Sequence, residues 1–166
     1  MRTVCRLTSR FRAIAKSVGR ALAVMRLSDQ PEYRVAIPAA MSGDYSTARD
    51  NLNVLIWRAR GENDVQTLGH LLQVLGDVEA RTGNEEFGHA LHMEAVGLDA
   101  DSPLPLLRYA QGLLEAFRRA DLAKERLADA EAMLNSKRAL GTDELPRSWY
   151  QAEFERLRKE LERLEP

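Results

Sequence analysis

All three histidines of this chain, His70, His89 and His92, lie between positions 70 and 92. Glu85, His89 and His92 stand at intervals of four and three, which places them on one face of a helix. A carboxylate with two imidazoles is a donor set that could hold a divalent cation. The set is incomplete, because no second Cys/His cluster supplies a further ligand. A partly buried structural histidine is therefore expected at position 92, with no metal and no other cofactor. There is no glycine-rich phosphate loop, nucleophile elbow, zinc-protease helix or kinase signature. The carboxylates alternate with arginines at helical spacing, as on a solvated helix face, and none forms a dyad suited to acid/base work. These residues argue against an enzyme.

The elements that position the histidines can be read from residues 75–100, LGDVEARTGNEEFGHALHMEAVGLDA. Leu71, Leu72, Leu75, Val78 and Thr82 make one apolar or small helical face, Gly83-Asn84 interrupts it, and Phe87, Leu91, Ala95 and Leu98 begin another. Asn84 is placed to cap the second helix, since an asparagine side chain can accept from the unpaired amides of the first turn. Leu75, Phe87 and Leu91, with Leu107 and Leu127 further on, are expected to be buried.

The placement of Leu75-Gly76, Gly83, Gly88, Ala95 and Leu98-Asp99-Ala100 resembles one tetratricopeptide repeat, and the GDYSTA stretch at residues 43–48 resembles the start of another such helix. Turns at Gly43, Gly83 and Arg118 lie about 35 to 40 residues apart, against roughly 34 in that family. Leu72, Glu79 and Ala100 stand where the family has tryptophan, tyrosine and proline. The chain thus reads as a divergent repeat or as an unrelated array of helical hairpins, and either would stack into a short right-handed α-solenoid, because a lone hairpin cannot cover its own apolar face. The resemblance implies a non-catalytic scaffold or adaptor that binds a protein or peptide segment, not a small-molecule substrate. In the family the first helix of each pair lines a concave groove, and the matching positions here are His70, Gln73, Asp77, Ala80 and Arg81.

With 166 residues the chain suffices for one domain with its own core. Period-two runs of β-branched and aromatic residues are absent, which leaves an all-α fold. Cys5 is the single cysteine and cannot close an internal disulfide, so a reducing cytoplasm is the expected location.

Three segments follow. Residues 1–28 carry seven basic and no acidic side chains, and Val4, Leu7, Phe11, Ile14, Val18, Leu22 and Met25 form a stripe at helical spacing. This basic amphipathic helix is too interrupted by charge for a membrane span. It could pack on the following helices, lie on a membrane surface or target the protein, or contact nucleic acid. By difference from the totals of 24 basic and 25 acidic residues, the remainder holds 17 and 25, a net charge of -8 that attracts the first segment. Docking on the body is the expectation; exchange between two copies would give a homodimer. A membrane-surface or nucleic-acid-associated regulator acting through this helix is the alternative to the adaptor.

Residues 29–138 make three helix pairs at about 31–60, 64–98 and 103–138. Asp29, Pro31 and Glu32 suggest a capping-box start, Pro38 should kink or shorten its helix, Trp57 should fill a join between helices, and Ser102-Pro103 should open the third pair. Residues 139–166 hold a last helix from about Pro146, with Tyr150, Phe154, Leu157, Leu161 and Leu164 on one face. It reads as a capping helix or a short coiled-coil seam.

Overall fold

The computed structural model describes residues 27–136 and 145–164. The basic segment expected over residues 1–28 lies outside the described residues, apart from its last two. Among the described residues the protein is all helical, with seven named helices. These are α1 (Pro31–Ser42), α2 (Tyr45–Gly61), α3 (Val65–Arg81), α4 (Glu85–Leu98), α5 (Leu104–Glu115), α6 (Ala120–Asn135) and α7 (Arg147–Leu164). None of them is long and apolar enough to cross a membrane.

Several helices stop where the sequence permits a left-handed residue. Gly43, Asn63, Gly83 and Arg118 all take positive φ, at 87°, 53°, 86° and 59°. After the first two of these turns an aspartate caps the next helix: Asp44 accepts from the Thr47 amide and Asp64 from the Thr67 amide. Asn84 departs from that pattern and from expectation, because its amide nitrogen donates to Glu79 Oε2 and it makes no side-chain cap bond to α4. Nor does Asp29 cap α1; it pairs with the exposed Arg34, and Gln30 occupies the cap position. Pro38 sits inside α1, which nevertheless runs through to Ser42. At α5 the cap position is Pro103, and Ser102 Oγ accepts from the Leu104 amide.

Helix α1 packs chiefly on α2, α3 on α4, and α5 on α6, while α7 lies against α6 and α5. The apolar interior is divided into two clusters. One runs from Leu27 through Leu52, Leu72 and Leu91 to Ala95 and belongs to the α1–α4 block. The other joins Ala80 to α5, α6 and α7, and includes Leu107, Leu113, Leu127, Tyr150, Phe154 and Leu161.

Leu75, Leu91, Leu107 and Leu127 are buried. Phe87, expected with them, is 48% exposed. The inward face of α4 is Gly88, Leu91, His92 and Ala95, and a residue one position before Gly88 points about 100° away from it. Phe117, two residues past the end of α5, instead fills the space opposite Gly88. Trp57 is likewise outside at 78% exposure, one residue past the buried Ile56, and so fills no join. On α7, Tyr150, Phe154, Leu157 and Leu161 are buried, whereas Leu164 faces solvent.

Ionic clamps tie the helices where the apolar faces leave off. Arg49 of α2 donates through Nε and Nη2 to the two oxygens of Glu79 on α3, at 2.5 and 3.0 Å, and Nη2 also reaches Thr82. Arg60 pairs with Glu94 across α2 and α4, and Arg158 with Glu131 across α7 and α6.

Candidate functional site

The five positions expected to line a groove lie on α3, and the structure gives them different work. His70 Nε2 is 3.0 Å from the Tyr33 hydroxyl, which ties α3 to α1. Gln73 donates through Nε2 to the Pro105 carbonyl at the start of α5. Asp77 Oδ1 lies 3.0 Å from His92 Nε2 on α4. Ala80 is buried against α5 and α6 residues, so it contributes packing and no exposed contact. Arg81 is exposed and has no ion pair among the described residues.

Asp77 and Arg81 open onto a cleft of about 380 Å³ between α1 and α3. Its walls include Ile37, Met41, Tyr45 and Val74, and Met41 is 85% exposed. Sequence reasoning misses the α1 wall, although Tyr33, Ile37 and Met41 recur every four residues and could have marked a helix face aimed at α3.

Behind the cleft three glycines bring α3, α4 and α5 together around His92, whose side chain is almost wholly buried. A Cβ on Gly76 would lie 2.6 Å from His92 Cδ2, one on Gly88 would lie 2.7 Å from the Gly76 carbonyl oxygen, and one on Gly112 would overlap Asp77 Oδ1. The imidazole thus occupies the volume that three missing side chains leave, stacked on Tyr109 at a centroid distance of 4.7 Å. His92 Nε2 donates to the Asp77 carboxylate, and its Nδ1 is buried without a hydrogen-bond partner. Alongside, His89 stacks on Phe117 at 4.3 Å and its Nδ1 is 2.6 Å from the Tyr109 hydroxyl.

Burial is the first cause of the shifts in this neighbourhood. It depresses His70 and His89 below the usual imidazole value, helped at His70 by the nearby Arg108, and it pushes Tyr33 and Tyr109 up. The Glu85/His89/His92 spacing does not become a ligand set, since His89 turns to Tyr109, His92 turns to Asp77 and Glu85 is exposed. No cluster suited to holding a metal ion occurs among the described residues.

No family model, curated protein or solved structure matches this chain. The cleft and the glycine-lined junction must therefore be read from their own chemistry.

That junction makes a sharp prediction. Gly112→Ala should cost about 1 to 3 kcal/mol, because the added methyl displaces Asp77 and His92 in a filled interior. Gly69→Ala should do the opposite and stabilise by about 0.5 to 1 kcal/mol, since an alanine there meets nothing and improves the interior of α3. Urea unfolding of the two variants checks both signs.

Proposed function

We propose that the protein is a non-catalytic adaptor, a short right-handed helical solenoid of the tetratricopeptide kind closed by α7, which holds a protein or peptide segment in the cleft between α1 and α3. Support comes chiefly from the cleft itself: apolar side chains from Ile37 and the exposed Met41 face an exposed, unpaired Arg81. A segment that offers an apolar side chain beside a hydrogen-bond acceptor or carboxylate would satisfy both. No cofactor enters this reading, and a cytoplasmic setting suits it.

The cleanest probes are Arg81→Ala and Met41→Ala, because both residues face solvent and their loss should change stability by less than about 0.5 kcal/mol. Asp77→Ala is not clean, since it strips His92 of its hydrogen-bond partner in the interior. With a partner isolated from native lysate, each clean variant should weaken binding at least about tenfold, the equivalent of one charge-assisted hydrogen bond or one apolar anchor. Full-strength binding by both would overturn the cleft. If binding then disappeared on removal of residues 1–26, the alternative regulator acting through that basic segment would take its place.

A further inference from the structure

The two apolar clusters meet along a seam between α3/α4 and α5, where two histidines join the aromatic edge of the second cluster. The seam consists of His89, His92, Tyr109 and Phe117 packed over Gly76, Gly88 and Gly112. The ion pair from Arg49 to Glu79 and that from Arg60 to Glu94 lie within the α1–α4 block, and Arg158 to Glu131 lies within the α5–α7 block. Across the seam itself run the His89 to Tyr109 and Gln73 to Pro105 hydrogen bonds. Next to it, His70 holds Tyr33 of α1 on one side and feels Arg108 of α5 on the other.

We propose that this seam is an acid-released joint, in which protonation of His70 and His89 lets the α5–α7 block move on the α1–α4 block. A neutral imidazole nitrogen can accept from a tyrosine hydroxyl; once both ring nitrogens carry protons it can only donate, and the Tyr33 and Tyr109 hydroxyls must turn. The new charge also has like-charged neighbours across the seam. Protonated His70 feels Arg108 on α5, and protonated His89 feels Arg119, itself paired with Asp121, in the turn after α5. Arg126 of α6 stands near Tyr109, the partner of His89. Glu85 attracts His89 from its own helix more strongly than Arg119 repels it, so at His89 the loss of the acceptor nitrogen, and not repulsion, loosens the seam.

The His92 to Asp77 contact joins α4 to α3 inside one block and does not cross the seam.

The sign of the effect follows from the two depressed histidines. Each binds a proton more weakly in the folded protein than in the released state, so the closed seam is fully supported above the usual value of 6.5 and is lost as pH falls through the lower folded values. The joint responds without any ligand in the cleft.

Hydrogen exchange on the full chain, corrected for intrinsic rates at about pH 7.5 and about pH 5.5, tests it, since one pH unit changes the protonated-to-neutral ratio tenfold. Protection of the α4 and α5 amides should fall about tenfold on acidification with the far-UV helical signal retained. His70→Gln with His89→Asn keeps an acceptor at each nitrogen without a titrating ring and should abolish the response. Equal protection at the two pH values, or the same loss in the double variant, overturns the joint. Should the double variant fail to fold, the imidazole resonances of the unaltered protein decide: titration below 6.5 accompanied by shifts of the α5 amides supports the joint, and titration at or above 6.5 overturns it.

Discussion

Arg49→Ala should lower the free energy of unfolding by about 3 kcal/mol at neutral pH, at the low end of what breaking a buried pair costs. The Glu79 side chain is 4% exposed and that of Arg49 is 35% exposed, so removing the arginine strands the more deeply buried partner. Asn84 would then be the remaining side-chain donor to that carboxylate among the described residues. Hydrogen bonds from Arg49, above all, hold the Glu79 carboxyl below its ordinary 4.5 against the opposing pull of burial. A depressed carboxyl stabilises the fold above 4.5 and loses that contribution as pH falls through its folded value. In the alanine variant the stranded carboxyl should instead titrate upward and become neutral early. The penalty of Arg49→Ala should therefore shrink between about pH 7 and pH 4, which paired urea titrations would reveal. A penalty that is constant with pH would mean that Arg49 acts through the packing of its stem and not through Glu79.

Leu91→Ala should cost about 2 to 5 kcal/mol, because the side chain is 5% exposed within the first apolar cluster and its loss leaves a cavity. Phe87→Ala, one turn earlier and half exposed, should cost far less despite the larger side chain, about 0.5 kcal/mol by the rule for surface sites. Chemical denaturation of the pair distinguishes the inward face Gly88, Leu91, His92 and Ala95 from the one that runs through Phe87. Reversal of the order would rotate α4 on α3.

Helical period and turn chemistry make the elements legible in the amino-acid sequence itself. Leucine spacing marks the interior faces of α3, α5 and α6, and Gly43 and Gly83 mark two of the left-handed turns. Phe87 and Trp57 mislead because a large apolar side chain adjacent to a stripe looks like part of it, yet one residue is about 100° of rotation. Asn84 misleads for a different reason: its oxygen caps α4 only if the side chain turns that way, and instead its Nδ2 donates to Glu79 of the preceding helix. The candidate site is legible in part. Helix spacing places His70, Gln73, Asp77 and Arg81 along one line of α3, but it cannot reveal that Tyr33, Pro105 and His92 occupy three of the four. Those partners are 37, 32 and 15 positions away, and no local pattern encodes them.

The division of the interior at the histidine seam also orders events at the ribosome. Among the described residues every buried side chain of the first cluster lies between Leu27 and Ala95, so that block leaves the ribosome and can bury its apolar surface ahead of α5, α6 and α7. At about 5 to 20 residues per second, synthesis from Ala95 to Phe117 takes about 1 to 4 seconds, long compared with helix formation and hydrophobic collapse. Throughout that interval Ala80 and the Gly76–Gly88 surface stand uncovered, waiting for Phe117 and Gly112. The first half of the molecule is thus its own folding template, and the second half is completed upon a surface already in place.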